Sequence, residues 1–165
     1  MMPAGPKNSH CSYCGSPFAP EQAWPRACPN CHNIAYINPI PVAVCIVPAP
    51  GGVVLVRRSI QPGKGGLALP GGYINYGESW QQAAQREVWE ETGISLNPDQ
   101  IQPFWTASAP DSTLLVFGLA APLPGLPEYK PTDETSELVI ASESVDLVFS
   151  LHTAALKRYF IQPTH

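Results

Sequence analysis

One stretch decides how this chain folds: Gly72-Tyr73-Ile74-Asn75-Tyr76-Gly77-Glu78, followed seven residues later by Arg86-Glu87-Val88-Trp89-Glu90-Glu91-Thr92-Gly93-Ile94. Residues 79–92 contain no proline or glycine, and they begin with a serine that can cap a helix. Gly93 suits the position just past a helix C-terminus. The pattern therefore predicts a helix of about fourteen residues, which is a normal length in a globular domain.

Three glutamates of this helix share its apolar side. At about 100° per residue, Glu87, Glu90 and Glu91 fall within an arc of roughly 100°. Almost the same arc holds the apolar residues of the helix, which are Trp80, Ala83, Ala84 and Val88. A run of glutamates usually forms a solvated face. Here the carboxylates continue the apolar stripe, where they repel one another and lose hydration.

A positive group must offset this charge. Arg86 can pair with Glu90 at i,i+4, but one arginine cannot neutralise Glu78 together with the three helix glutamates. A divalent cation can. Carboxylate oxygens without histidine or cysteine favour a hard ion such as Mg²⁺ or Mn²⁺ over zinc.

These residues resemble the Nudix box. Every position of the box is matched by Gly72-x5-Glu78-x7-Arg86-Glu87-Val88-x-Glu90-Glu91-x-Gly93-Ile94, in which Val88 and Ile94 fill the two bulky aliphatic positions. The preceding Leu67-Ala68-Leu69-Pro70-Gly71-Gly72 is also similar to the Nudix approach to the box. The resemblance implies an α/β (α+β) fold, an α/β/α sandwich with a mixed sheet. It also implies Mg²⁺- or Mn²⁺-dependent hydrolysis of a nucleoside diphosphate linked to another moiety.

The resemblance further implies a role for each residue of the box. The metal ligands would be Glu87, Glu90, Glu91 and the carbonyl of Gly72. Arg86 and Glu78 would orient the carboxylates, and Gly71 and Gly72 would lie beside the substrate. The general base stays open between Glu87 and two residues on a later loop, Glu134 and Glu137, because some Nudix enzymes place the base there.

Two C-x-x-C pairs precede this region, Cys11/Cys14 and Cys28/Cys31, with thirteen residues between them. Four thiolates in paired knuckles are typical of a tetrahedral structural zinc site, with two disulfides or a redox dithiol as alternatives. Because so short a segment cannot build an apolar core alone, a bound zinc ion would supply the folding energy. Arg26 is the one basic residue between the pairs, which gives little support to nucleic-acid binding by this zinc ribbon. We therefore interpret the ribbon as a structural or dimer-forming appendage.

A ribbon directly before a Nudix domain resembles the NADH pyrophosphatases and the plant FAD and ADP-ribose pyrophosphatases. The NADH enzymes carry an S-Q-P-W-type motif downstream of the box, whereas this chain has Phe104-Trp105-Thr106-Ala107-Ser108-Ala109-Pro110 there. ADP-ribose or FAD is therefore the favoured substrate, and NADH comes next. We expect a disordered lead over residues 1–9, the zinc ribbon over 10–37 and the Nudix domain over 38–165.

The rest of the chain predicts strands on both sides of the helix and a closing helix. Apolar runs and turn residues place the strands at 42–47, 53–58, 101–109, 112–121 and 134–141. Arg57 and Arg58 end the second strand and would face opposite sides, so that one can meet a substrate phosphate. The closing helix is expected at 151–161, with His152 as a surface or packing residue. Cys45 is interpreted as a small core residue rather than a nucleophile.

Composition excludes several other function classes. Nine basic and thirteen acidic residues give a net charge of −4, which offers no electrostatic footprint for duplex nucleic acid. No apolar run reaches the about 18 residues of a membrane span, and we expect a cytoplasmic protein because a signal peptide pattern is lacking. The expected partner is a small nucleotide, with a homodimer as one role for the ribbon. A non-catalytic Nudix ligand sensor is the alternative function, although a pure sensor would not need the intact set of glutamates.

Overall fold

The computed structural model describes residues 7–161, and the chain divides after Pro39 into two compact units. The lead expected over residues 1–9 falls mostly outside the described residues, and so do residues 162–165 at the end of the expected Nudix domain. No helix within the described residues combines the length and apolar character that a membrane span requires.

The N-terminal unit contains one short hairpin, in which β1 (Arg26–Ala27) pairs antiparallel with β2 (Ile34–Ala35). Its core has four buried side chains, which are Cys11, Phe18, Cys28 and Ala35. The guanidinium of Arg26 lies over the rings of Trp24 and Phe18, 4.6 and 5.6 Å from their centroids. So little apolar burial cannot stabilise a unit of this size by itself.

The C-terminal unit is built from two four-stranded sheets and two helices. The strands are β3 (Ile40–Ile46), β4 (Pro48–Ala49), β5 (Gly52–Arg58), β6 (Leu67–Ala68), β7 (Gly71–Tyr73), β8 (Gln102–Ser108), β9 (Thr113–Leu119) and β10 (Thr135–Ala141). The helices are α1 (Trp80–Thr92) and α2 (Ser150–Ile161). One sheet has the order β7-β3-β9-β8 and is mixed, because β3 and β9 run parallel while its other pairs are antiparallel. The other has the order β10-β5-β4, and β6 also pairs with β5.

The two helices cover opposite faces of the strands. Alternate residues of β3 point to opposite sides, as expected for a strand. Ala43 and Cys45 belong to the apolar cluster that includes the buried alanines of α1, whereas Val44 and Ile46 belong to the cluster that includes Ala155 and Leu156 of α2. This arrangement confirms the α/β/α sandwich with a mixed sheet.

Helix α1 begins and ends where the sequence predicts. The hydroxyl of Ser79 accepts a hydrogen bond from the backbone N–H of Gln82 at 3.2 Å, and the side chain of Gln82 accepts one from the N–H of Ser79 at 2.8 Å. This reciprocal capping box satisfies two N–H groups that the helix leaves free. At the other end Gly93 has φ 72° and donates to the carbonyl of Trp89. A left-handed residue at this position stops the helix.

Helix α2 buries the side chains of His152, Ala155 and Leu156. Of the two environments predicted for His152, surface or packing, the structure shows packing. His152 lies three and four residues before Ala155 and Leu156, so the three side chains share one face of the helix.

Candidate functional site

Arg86 lies at the centre of the acidic cluster on α1. Its Nη2 donates to Oε1 of Glu78 at 2.8 Å and to the carbonyl oxygen of Tyr73 at 2.9 Å. Its Nη1 donates to Oε1 of Glu87 at 2.6 Å and to Oε2 of Glu90 at 3.0 Å. One guanidinium group therefore binds three carboxylates and attaches α1 to the segment that precedes it. The bond with Arg86 is also the main reason that the pKa of Glu78 is lowered.

Glu91 has a different environment from the other glutamates. Its side chain is 4% exposed, and its Oε2 accepts a hydrogen bond from the backbone N–H of Gly71 at 3.0 Å. Burial raises the pKa of Glu91 to about 8. The hydroxyl of Thr135, on β10, donates to the backbone carbonyl of Glu91 at 2.8 Å, and this bond attaches the C-terminal end of α1 to β10.

The backbone of β7 lies directly against these carboxylates. A Cβ atom added to Gly72 would lie 2.5 Å from the carboxyl group of Glu87, so any other residue here would displace that carboxyl group. A Cβ atom added to Gly71 would collide with the backbone of Ala43 and Val44 in β3. The two glycines therefore allow β7 to pair closely with β3 while its backbone lies against the glutamates.

The donor set of the cluster fits a hard divalent ion, because it offers carboxylate and carbonyl oxygens alone. Burial is also the main reason that the pKa of Glu87 is raised, to which repulsion from Glu90 and Glu134 adds. A cation would relieve that cost. The side chains of Glu87, Glu90 and Glu91 do not converge as closely as metal ligands do. Within residues 7–161, the only group of three or more such side chains with ligand atoms inside 4.8 Å is made of cysteines.

The two later candidate bases have different neighbours, and only Glu134 lies on a loop, because Glu137 belongs to β10. Glu137 accepts a hydrogen bond from Nε of Arg57 at 2.6 Å, and both side chains are exposed. Repulsion from Glu134 is one of the smaller effects that raise the pKa values of Glu87 and Glu91, whose main cause is burial. Glu134 therefore lies near the acidic cluster, whereas Glu137 is engaged on the surface.

The two arginines at the end of β5 also differ. Arg57 is held by Glu137 and by the carbonyl of Gly65, to which its Nη1 donates at 3.0 Å. Arg58 donates from Nε to the carbonyl of Pro62 at 2.8 Å, and its guanidinium lies 5.1 Å from the centroid of the Phe149 ring. Arg58, and not Arg57, lines a cavity in this unit.

That cavity has a volume of about 460 Å³, and its lining includes Gly71 and Gly72, whose backbone lies against Glu91 and Glu87. Its lining includes apolar side chains of the mixed sheet, the turn between β8 and β9, Arg58, and the first residues of α2. A volume of this size lies within the range of small-molecule sites. The sequence did not indicate the cavity, because its walls come from segments far apart in the chain and no local pattern joins them.

The four N-terminal cysteines form a separate cluster. Their Sγ atoms all lie within 4.8 Å of one another, with distances of 3.7 Å for Cys11 to Cys31 and 3.6 Å for Cys14 to Cys28. For zinc–sulfur bonds of about 2.3 Å, a tetrahedron has edges of about 3.8 Å. The side chain of Asn33 donates to Sγ of Cys31. Hydrogen bonds from Asn33, first its backbone and then its side chain, lower the pKa of Cys31.

None of the five cysteines forms a disulfide, so the disulfide alternative is not the arrangement seen in the structure. The geometry of the four N-terminal thiols fits a zinc ion. Cys45 is fully buried, and burial raises the pKa of its thiol to about 12. A thiol of this kind is a poor nucleophile, as expected for a core residue.

Comparison with curated proteins gives relatives over part of the chain. The NAD-capped RNA hydrolase NudC of Salmonella typhi is 33% identical over 89 residues, which cover 52% of this chain and 34% of that protein. The ADP-ribose pyrophosphatase of Methanocaldococcus jannaschii is 37% identical over 59 residues, covering 36% of this chain and 35% of that protein. The chain thus covers about a third of the length of these curated relatives.

Solved structures extend the comparison to most of the chain. A NUDIX hydrolase from Nitrosomonas europaea is 30% identical with a TM-score of 0.75, covering 92% of this chain and 90% of that one. A bifunctional NMN adenylyltransferase/ADP ribose pyrophosphatase from Francisella tularensis, complexed with AMP and a manganese ion, is 29% identical with a TM-score of 0.55, covering 64% of this chain and 34% of that one.

The family model of the NUDIX domain matches residues 38–161, which include both sheets, both helices and the acidic cluster. Because this match covers most of the chain, and because the fold agrees with that of the Nitrosomonas protein, the chain belongs to the NUDIX domain family.

Proposed function

We propose that this protein is a metal-dependent pyrophosphohydrolase that cleaves the diphosphate of a nucleoside diphosphate derivative. The observation that carries the proposal is the acidic cluster, in which the buried Glu91 and the half-buried Glu87 lie against the backbone of Gly71 and Gly72. A structural helix gains nothing from burying carboxylates, which lose hydration and raise their pKa values. Such a cost is typical of a functional site.

Glu87, Glu90, Glu91 and the Gly72 carbonyl would hold Mg²⁺ or Mn²⁺. When bound, the ion would act as a Lewis acid on phosphoryl oxygens and lower the pKa of a bound water. Arg86 fixes the carboxylates of Glu87 and Glu90 through its two Nη1 hydrogen bonds. Phosphoryl transfer depends mostly on this kind of positioning and charge compensation, because the protein has little covalent chemistry to perform.

We propose Glu134 as the general base that accepts a proton from the attacking water. Its charge acts on both Glu87 and Glu91, which supports a place beside the metal ligands. Glu137 is a poorer candidate because its carboxylate is paired with Arg57 at the surface. Glu87 is already bonded to Arg86, so a role as metal ligand suits it better than a role as base.

We propose a small nucleotide as substrate, with ADP-ribose or FAD favoured and NADH next. The names of two relatives, an ADP-ribose pyrophosphatase and an NAD-capped RNA hydrolase, support a diphosphate that carries an adenosine group. The cavity beside Gly71 and Gly72 is large enough for a nucleoside, and Arg58 on its wall supplies a cation for a phosphate.

The N-terminal unit is proposed to be a structural zinc ribbon over residues 10–37, attached to a catalytic domain over 38–165. The support is the near-tetrahedral spacing of the four sulfur atoms together with the small apolar core around them. Zinc would therefore stabilise this unit rather than take part in hydrolysis.

The test is a product-release screen over ADP-ribose, FAD, NADH, diadenosine polyphosphates and nucleoside triphosphates with Mg²⁺ and with Mn²⁺. We expect metal-dependent turnover of at least one diphosphate and its loss in E90Q, which removes a charge without changing volume. E143Q, an exposed glutamate on the surface, is the matched control. Binding without turnover of any compound would favour the ligand-sensor alternative.

A further inference from the structure

His152 is a buried polar residue that the proposed mechanism does not use. It lies in the first turn of α2, its side chain is 6% exposed, and it lines the cavity beside Gly71 and Gly72. Its Nδ1 atom is buried and has no hydrogen-bond partner among the described residues. Buried polar atoms in folded proteins nearly always have partners, so a buried unpaired nitrogen beside a cavity needs an explanation.

The imidazole of His152 is held in its neutral form. Burial, together with the positive charge of Arg58, lowers its pKa to about 3. The first turn of a helix also disfavours a positive charge, because the helix dipole is positive at that end. A neutral imidazole has one N–H donor and one acceptor nitrogen, and the partner of one nitrogen selects the role of the other.

Aromatic contacts fix the orientation of the ring. The centroid of the Phe117 ring lies 5.8 Å from that of His152 in an edge-to-face arrangement, and the Phe149 ring lies 5.0 Å away. Phe117 is itself stacked on Trp105 at 5.2 Å. Since packing on two sides limits rotation, His152 can meet a ligand without first losing conformational freedom.

We propose that His152 is a specificity-determining residue that forms a hydrogen bond with an uncharged heteroaromatic ring of the substrate, such as a nucleobase, bound in this cavity. The inference rests on the proposed function, which places the diphosphate at the acidic cluster next to Gly71 and Gly72. The cavity is lined from these glycines to His152, and most of its other lining side chains are apolar. These walls suit a flat, uncharged group, and the imidazole supplies the polar contact that orients it.

Two probes separate recognition of the ring from recognition of the diphosphate. ADP-ribose carries a nucleobase, whereas 5-phosphoribosyl diphosphate carries a ribose and a diphosphate without one. We expect H152F to lower kcat/KM for ADP-ribose about 10- to 100-fold, mainly through KM, and to leave 5-phosphoribosyl diphosphate within about twofold. H152Q keeps a donor and an acceptor and should recover most of the loss.

Further measurements distinguish the loss of a contact between His152 and the ligand from damage to the fold in H152F. K157A, an exposed change on the same helix, is the matched control and should behave as the wild type. The ring-nitrogen NMR signals of His152, assigned by their disappearance in H152Q, should shift when ADP-ribose binds and stay fixed with 5-phosphoribosyl diphosphate. An equal loss on both probes in H152F, or unmoved nitrogen signals at saturating ADP-ribose, would overturn the proposal.

Calorimetric titration with the same probes separates this proposal from the proposed function. Suppose that the wild type turns over neither probe but binds ADP-ribose at least tenfold more tightly than H152F does. The proposed hydrolase function is then refuted, and the role of His152 in binding stands. If ADP-ribose is hydrolysed equally by the wild type and H152F, hydrolysis stands and the role of His152 fails. If the wild type neither binds nor hydrolyses ADP-ribose, both proposals fall.

Discussion

Replacing Glu91 with glutamine should make the metal-free protein more stable at alkaline pH. Glu91 is 4% exposed, and burial raises its pKa from an ordinary value of 4.5 to about 8. Because the folded-state pKa is the higher one, the protonated carboxyl stabilises the fold fully below the unfolded-state value. This stabilisation is lost as the pH rises through 8. Glutamine stays neutral, and its amide oxygen can still accept the hydrogen bond from Gly71.

The size of the effect follows from the difference between the two pKa values. One pKa unit corresponds to about 1.4 kcal/mol. Between about pH 6 and about pH 8.5, the unfolded chain has already released the Glu91 proton while the folded protein still binds it in part. The free energy of unfolding of the wild type should therefore fall by about 2 to 3 kcal/mol relative to that of E91Q over this range.

Urea denaturation at both pH values measures this difference, with zinc retained and Mg²⁺ omitted. E143Q is the control because it removes an exposed carboxylate, and it should follow the wild type. Adding Mg²⁺ at about 100 times its dissociation constant should restore about 2.7 kcal/mol to the wild type at the higher pH, and much less to E91Q. If the wild type and E91Q lose stability in parallel as the pH rises, Glu91 is not a buried titrating carboxylate and this reasoning is refuted.

Three other changes test separate parts of the site. G72A places a Cβ atom 2.5 Å from the Glu87 carboxyl and should lower kcat by about a hundredfold, as misplaced catalytic groups do; G125A, which adds a methyl group in open space, is its control in the same kinetic assay. R58A should raise KM by about tenfold because Arg58 lines the cavity, whereas R57A should change KM little because it breaks an exposed ion pair; equal effects on KM would remove the assigned role of Arg58. Elemental analysis should find about one zinc per chain, and a C14S/C31S double variant should lose that zinc while keeping measurable hydrolysis. Loss of turnover from a folded variant of unchanged oligomeric state would give the cysteine cluster a catalytic role.

Local patterns of sequence determined the two motif regions of this protein. The bounds of α1 depend on Ser79 and Gly93, whose effects act within one helical turn, so they could be predicted without knowing the fold. The cysteine pairs are equally local, since each C-x-x-C forms one tight knuckle. Five of the eight strands of the C-terminal unit could be placed because apolar runs and turn residues are also short-range signals, whereas the two- and three-residue strands β4, β6 and β7 were not predicted.

Tertiary packing decided which of two neighbouring residues of the same type is buried or lines the cavity. Glu90 and Glu91 share one arc of the helix, yet only Glu91 is buried, because β7 and β10 cover that end of α1 and provide its backbone partners. Arg57 and Arg58 are neighbours in sequence, but pairing of β5 with β10 gives Arg57 a carboxylate while Arg58 faces the cavity.

For the same reason, the sequence left His152 open between a surface and a packing position and did not indicate the cavity beside it. The rings that surround His152, Phe117 and Phe149, come from β9 and from the segment before α2. The sequence by itself therefore determined the helix with its glutamates and the cysteine knuckles, which depend on short-range spacing, and the resemblance to the Nudix box implied the fold class. The tertiary structure alone decided burial, ion pairing and the shape of the cavity, because these depend on contacts between segments that only the folded chain brings together.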